Sequence, residues 1–213
     1  MRKVLLLLMA VITTVSCNKI IENEFIITGK INGIGNGVSL FLQKSGSTEL
    51  DPKVKAADEG KKIKKSLDTI KNLSIGSLAP DFSGPNPEGK IVSLKESMGK
   101  LTIIDFWASW CASCRQENSN VVALYKEFHD KGINIIGISL DKDVHKWKEA
   151  IAKDKLAWTQ ISNLKGWGND PIALQYNIKG LPAIFLIDAN GKIIAKDLHG
   201  AELRARVAAA LGS

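Results

Sequence analysis

Residues 101–114 constrain the fold of this chain more than any other segment. The apolar run Leu101–Phe106 predicts a buried strand, and Cys111 and Cys114 follow it where a helix is expected to begin. The free N–H groups and the positive dipole end of a helix N-terminus favour an anion. We therefore expect the pKa of Cys111 to lie below the value of about 8.5 of a free cysteine. The spacing predicts a redox-active dithiol.

In such a dithiol, Cys111 acts as the nucleophile and the more buried Cys114 as the resolving thiol that attacks the mixed disulfide. Half of a zinc site and a pair of inert thiols are the alternatives. Zinc normally needs a second pair of Cys or His ligands. The chain offers only three scattered histidines: His129, His145 and His199. Arg115 follows Cys114, which argues against covalent haem attachment. No metal is predicted.

Composition limits the classes of function. The 213 residues suffice for one domain and a smaller attachment, and a 45% hydrophobic content is typical of globular chains. The formal net charge is +7, but the cations form no concentrated stripe near the dithiol. Nucleic acid is therefore not a predicted partner.

The N-terminal residues have the pattern of a secretory leader. A basic start and a short apolar run predict a signal peptide over 1–16, too short for a membrane span of about 20 residues. Thr14–Cys17 resembles a lipobox, although leucine is commoner than threonine at its first position. We expect lipid attachment at Cys17, which also accounts for the odd third cysteine. A soluble secreted protein and an uncleaved anchor are the alternatives.

The remaining chain divides into three predicted regions. Residues 17–50 form a lipid anchor and a short β-rich segment, with a hairpin of strands 25–31 and 38–43. Residues 51–74 form a lysine-rich helical linker, whose cations are either a solvated face or a membrane or partner patch. Residues 75–213 form the main domain.

Strands and helices alternate along this domain. The predicted strands are 90–94, 101–107, 133–140, 183–188 and 192–196, the last two forming a hairpin around Asn190-Gly191. The predicted helices are 111–129, 143–153 and 202–211. This order implies a three-layer α/β sandwich with crossover connections.

Three motifs then define a resemblance. They are DFWASWCASC at 105–114, YNIKGLPA at 176–183 and FLIDANGKI at 185–193. In this order they resemble the thioredoxin-like domain of TlpA/ResA-type thiol-disulfide oxidoreductases of the bacterial envelope, over roughly three fifths of the chain. The resemblance implies a thioredoxin-like α/β/α sandwich, preceded here by the short β-hairpin and the helical linker.

The resemblance also implies site residues. Pro182 corresponds to a cis-proline that faces the sulfurs, so that Leu181 presents backbone groups to an extended substrate; a trans proline that merely opens the strand is the alternative. Trp110 offers an apolar contact surface beside Cys111, whereas Trp107 is expected in the core.

Two acidic residues are expected near the dithiol. Asp105 corresponds to a buried aspartate that takes the proton of the resolving thiol, and Glu117 to an acidic residue of ResA-type sites. Burial raises a carboxyl pKa and suits a proton acceptor near neutral pH. Close to each other, the two titrate as a coupled set. The alternative for Glu117 is an exposed acid in the first helical turn.

The resemblance implies a lipid-anchored, periplasm-facing enzyme that reduces disulfides of client proteins. Electrons pass through the sulfurs, so no cofactor is expected, and a membrane thiol donor must re-reduce the pair. Redox homeostasis and cytochrome c maturation are candidate processes.

Departures from the family keep other functions open. Ala112-Ser113 and Ser119 stand where many relatives carry proline, so the reduction potential is not transferred. A disulfide isomerase or oxidase, and a non-catalytic peptide-binding envelope lipoprotein, are the alternatives. A peroxiredoxin is disfavoured because no Pro-x-x-x-Thr-x-x pattern precedes Cys111.

Overall fold

The computed structural model describes residues 72–212. The strands within this range are β1 (Ser83–Pro85), β2 (Ile91–Ser93), β3 (Leu101–Trp107), β4 (Ile133–Ser139), β5 (Thr159–Ile161), β6 (Ala183–Asp188) and β7 (Ile193–Lys196). The α-helices are α1 (Ala112–Phe128), α2 (Val144–Asp154), α3 (Pro171–Gln175) and α4 (Gly200–Leu211), and Lys95–Ser97 and His129–Lys131 form 3₁₀ helices. The predicted leader, the β-rich segment and the linker up to residue 71 lie outside the described residues.

Five strands form one mixed sheet in the order β5-β4-β3-β6-β7. The central strand β3 pairs in parallel with β4 and antiparallel with β6, and all seven of its residues are buried. β1 and β2 form a separate antiparallel hairpin. The sheet confirms the predicted α/β class, and β3 has the bounds that the apolar run predicts.

Alternate residues of β3 face two separate cores because side chains of a strand alternate between faces. Ile103 belongs to the core that includes buried residues of α1, α2 and α4. Ile104 and Phe106 belong to the opposite core, which includes residues of α3 and of the segment that precedes β3. One outer layer is thus fully helical, whereas the other contains a five-residue helix and the hairpin.

The sequence analysis missed β1, β5 and α3. Each of the two strands is three residues long, too short for a period-2 pattern to stand out. α3 does carry a start signal: Asp170 is its N-cap and accepts hydrogen bonds from the backbone N–H groups of Ile172 and Ala173, and Pro171 follows the cap. These residues could have identified the helix.

The topology brings the dithiol and the proline to one edge of the sheet. β3 ends at this edge and leads into α1, whereas the antiparallel β6 begins there, directly after Pro182. Phe106 pairs with Ala183 at the end of the ladder. Segments more than 60 residues apart in sequence therefore meet at the same place.

Tyr176 connects the segment before β1 to the sheet. Its ring lies in an aromatic cluster, with centroids 5.3 Å from Phe106, 5.1 Å from Phe185 and 5.8 Å from Phe82. Its hydroxyl donates a hydrogen bond of 2.6 Å to the carbonyl oxygen of Pro80. The ring and the hydroxyl thus stabilise the same junction in two separable ways.

Tyr176→Phe should lower the free energy of unfolding by about 1 kcal/mol, because it removes one partly buried hydrogen bond and leaves the ring in place. Denaturant unfolding of the oxidised protein measures this change. Tyr125→Phe is the matched control: its hydroxyl lies 3.4 Å from Nε2 of the exposed His129, so we expect a change below about 0.5 kcal/mol. Equal losses in the two variants would contradict the assignment.

Candidate active site

Cys111 and Cys114 form a disulfide at the start of α1. The sulfurs are 2.12 Å apart, and Cys111 is the N-cap of the helix with extended backbone angles. Its sulfur accepts a hydrogen bond of 3.2 Å from the backbone N–H of Cys114, and the hydroxyl of Ser113 lies 3.4 Å away. The predicted placement of a sulfur at a helix N-terminus is confirmed, and this geometry stabilises a Cys111 thiolate once the pair is reduced.

The two cysteine residues differ in access to solvent. Cys111 is 7% exposed and Cys114 is 1% exposed, so the first cysteine is the one that a partner can reach. The two nearby tryptophans also differ: Trp110, in the loop before α1, is 58% exposed, whereas Trp107, the last residue of β3, is buried in the core as expected. A cleft of about 290 Å³ opens beside Trp110, with α2 as its other wall.

The Leu181–Pro182 peptide bond is cis, as the resemblance implies. Both residues are half-buried, and the Leu181 side chain packs against the core that contains Cys111 and Cys114. The alternative of a trans proline is wrong. Contact of these residues with a substrate stays a prediction.

Asp105 lies within β3 and is only 4% exposed. Its neighbours across the sheet are Gly137 of β4 and Ile184 of β6. Burial, which disfavours the charged carboxylate, raises the pKa of Asp105 to about 7, and the nearby charge of Glu117 adds to the increase. Asp105 therefore changes its protonation state near neutral pH, as a proton acceptor must.

Glu117 is half-buried and connects α1 to α4. Its Oε1 accepts a hydrogen bond of 2.7 Å from the backbone N–H of Gly200, the first residue of α4, and its Oε2 accepts one of 2.9 Å from Asn120. The first turn of α1 contains no acidic residue, so the alternative of an exposed first-turn acid is wrong. The two predicted acids therefore interact, because the charge of Glu117 contributes to the raised pKa of Asp105.

A second polar network, which the sequence analysis missed, surrounds Ser109. Asp141 follows β4 and accepts hydrogen bonds from the backbone N–H (2.9 Å) and the hydroxyl (2.6 Å) of Ser109. The guanidinium of Arg115 donates to the carbonyl oxygen of Ser109 at 3.1 Å. The available signal was an aspartate directly after a buried parallel strand, at the edge where functional groups collect.

Residues 72–212 contain neither a cluster of metal ligands nor a membrane-spanning helix. Within this range, no group of three or more His, Cys, Asp and Glu side chains is arranged to hold a metal ion. No helix in the same range is long and apolar enough to cross a bilayer. The predicted lipid site Cys17 lies outside the described residues.

Comparison with known proteins is consistent with this geometry. The model of the AhpC/TSA family matches residues 75–196. The thiol-disulfide oxidoreductase ResA of Bacillus cereus is 32% identical over 58% of this chain and 69% of that protein. Among solved structures, the thioredoxin domain of a Bacteroides vulgatus thiol-disulfide oxidoreductase is 38% identical, with a TM-score of 0.57 over 63% of this chain and 95% of that one. A thiol:disulfide interchange protein from Bacteroides sp. is 35% identical, with a TM-score of 0.60 over 67% and 93%.

The chain belongs to the AhpC/TSA family. The expected thioredoxin-like fold and the expected enzyme class, a thiol-disulfide oxidoreductase of the ResA type, are confirmed by these relatives.

The raised pKa of Asp105 predicts a pH-dependent stability of the oxidised protein. Between about pH 4 and pH 7, folded Asp105 keeps its proton whereas the unfolded chain has lost it, so stability falls as pH rises through this window. The Asp105→Asn variant has no carboxyl group to ionise at this position, so this fall in stability is absent. Relative to the parent, its free energy of unfolding should increase from pH 4 to pH 7 by up to about 4 kcal/mol and then stay level.

Denaturant unfolding across pH 4–9 measures this difference, with the disulfide intact. Glu117→Gln should move the upper end of the window to lower pH, because the Glu117 charge is the second cause of the shift. A difference between Asp105→Asn and the parent that does not vary with pH would show that Asp105 ionises normally in the fold.

Proposed function

We propose that this protein is a lipid-anchored enzyme of the cell envelope that reduces disulfides of client proteins. The observation that carries the proposal is the Cys111–Cys114 disulfide at the N-terminus of α1, together with the buried carboxyl of Asp105, on the strand that leads into α1, whose pKa is raised to about 7. One group can attack a client sulfur, and the other can take up the proton that must leave before the client is released. No cofactor is needed because the electron pair moves between sulfurs.

In the first step, the Cys111 thiolate attacks one sulfur of a client disulfide. An S–S bond forms between Cys111 and the client, the client S–S bond breaks, and its second sulfur leaves as a thiolate that takes a proton from water. The N–H of Cys114, 3.2 Å from the Cys111 sulfur, supports this step by stabilising the attacking anion.

In the second step, the Cys114 thiol gives its proton to the Asp105 carboxylate and attacks the Cys111 sulfur. The Cys111–Cys114 disulfide forms, and the client leaves with both sulfurs reduced. Cys114 is almost fully buried, so water has poor access to its proton and an internal acceptor is needed. Glu117 tunes this acceptor through its charge. The protein has then lost two electrons, which a membrane thiol donor must return.

Client binding is assigned to the surface around Cys111. The exposed Trp110 supplies an apolar contact, and the backbone of Leu181 beside cis-Pro182 supplies hydrogen-bonding groups for an extended segment. Both lie at the sheet edge that carries the dithiol. A segment bound there brings its disulfide to the more accessible of the two sulfurs.

Reduction of the client is the proposed direction of electron flow. An isomerase needs mixed disulfides that last long enough to rearrange. Proton transfer from Cys114 to Asp105, as proposed for the second step, would shorten their lifetime and supports reduction over isomerisation. A reduction potential well below the roughly −120 mV of a strong thiol oxidase would support the reductase against an oxidase.

Support for the proposed envelope location and the proposed lipid anchor comes from the amino-acid sequence. The leader pattern over 1–16 supports export, and Cys17 follows a lipobox-like stretch. Two of the three cysteines form the disulfide, which leaves Cys17 for lipid attachment. An anchored domain would meet its client proteins and its thiol donor at the same membrane.

Reduction of insulin in the presence of dithiothreitol tests the activity. We expect turnover by the parent and none by Cys111→Ser, because the nucleophile is missing. Cys114→Ser should form a mixed disulfide with a client and retain it, since no second thiol releases it; sequencing of trapped proteins identifies the clients, apocytochromes c included. If the parent does not turn over but still binds extended peptides, the protein is a binding lipoprotein and the proposal fails.

Expression of the full chain with radiolabelled palmitate tests the anchor. The parent should incorporate label and sediment with membranes, whereas Cys17→Ser should lose at least nine tenths of the label, because its thiol is the acceptor. Cys111→Ser is the control and should label as the parent does. Equal labelling of the Cys17→Ser variant and the parent would exclude Cys17 as the lipid site.

A further inference from the structure

We propose that Asp141 and Arg115 are positioning residues of the exchange reaction, because they hold Ser109 from two sides, two residues before the nucleophile. The inference rests on the proposed function of Cys111. It assigns a task to a buried carboxylate and a guanidinium that bind Ser109 rather than the reacting sulfurs.

Asp141 binds the N–H and the hydroxyl group of Ser109 and connects them to β4. It is almost fully buried, and both of its oxygens are used: Oδ1 accepts the Ser109 hydroxyl at 2.6 Å, and Oδ2 accepts the Ser109 N–H at 2.9 Å. Ser139, the last residue of β4, also donates its hydroxyl to Oδ2 at 2.7 Å. The carboxylate therefore has a fixed orientation, and its position is set by the central sheet.

Arg115 holds the opposite side of Ser109. Its Nη1 donates to the Ser109 carbonyl oxygen at 3.1 Å. Its Nε and Nη2 bind the two carboxylate oxygens of Asp154, the last residue of α2, and Asp154 also accepts a hydrogen bond from Asn118. A planar guanidinium bound at two points keeps one orientation. Ser109 is thus attached to β4 through Asp141 and to α2 through Arg115.

The attachment matters most when the disulfide is open. In the oxidised protein the S–S bond itself ties Cys111 to α1. After reduction that bond is gone, and the loop from Ala108 to Cys111 must hold the Cys111 sulfur near the N–H of Cys114 by other means. The backbone hydrogen bonds of Ser109 involve neither sulfur, so opening the disulfide does not itself break them. They keep the thiolate at the helix N-terminus and keep Trp110 turned outward.

Alkylation of the reduced protein tests this inference. The rate of reaction of Cys111 with iodoacetamide is followed from pH 4 to pH 10, with mass spectrometry to assign the modified cysteine. Asp141→Ala and Arg115→Gln should react roughly tenfold more slowly than the parent at pH 6, with the profile moved to higher pH, because less thiolate is held at the helix end.

Arg204→Ala is the matched control. Arg204 binds Glu127 through two hydrogen bonds near the other end of α1, on an exposed surface. Its loss removes the same kind of ion pair from the same helix, and we expect the parental alkylation profile. A slower reaction in this variant too would mean that general loosening of α1 explains the effect, which would overturn the inference.

Two further outcomes are decisive. A lower melting temperature of Asp141→Ala or Arg115→Gln with an unchanged alkylation profile would make both residues merely structural. If Asp141→Ala does not fold, Ser109→Ala carries the test: it removes only the 2.6 Å hydroxyl bond, and a reaction roughly threefold slower supports the inference, whereas no change overturns it. Alkylation requires no turnover, so a parent that fails to reduce insulin would overturn the proposed function and leave this result standing.

Discussion

The hydrogen bond between the backbone N–H of Cys114 and the sulfur of Cys111 is the interaction on which the chemistry depends. It exists because β3 ends one short loop before α1, so that the first cysteine caps the helix and the second lies within it. The same geometry makes the sulfurs unequal in access. The proposed nucleophile and the proposed resolving thiol are thus distinguished by their position on one helix, without any difference in residue type.

The two acidic residues differ in their surroundings and in their electrostatic effect. Asp105 is placed in the apolar sheet by its strand, and burial keeps it protonated up to near neutral pH. Glu117 keeps access to polar partners, and its charge acts on Asp105 from the side of α1. The charge of Glu117 therefore contributes, after burial, to the raised pKa of Asp105.

Local sequence patterns predicted the long elements of the fold, in which a hydrophobic pattern extends over many residues. The seven-residue run of β3 and the 17-residue α1 agree with their predicted positions to within two residues at either end. The motifs around Cys111 and Pro182 located the site, because a spacing of three and a proline before a strand are local features. Asp141 could not be predicted in its role, since its partner Ser109 is 32 residues away and only the parallel pairing of β3 and β4 brings them together.

The hydrogen bond between Glu117 and the N–H of Gly200 connects α4 to the electrostatic environment of Asp105. The Glu117 carboxylate is thereby held at the N-terminus of α4, and its charge adds to the increase in the pKa of Asp105. Truncation or displacement of α4 would remove that support without touching either cysteine. A change at the C-terminus of the chain can therefore alter the acidity of a group in the central strand.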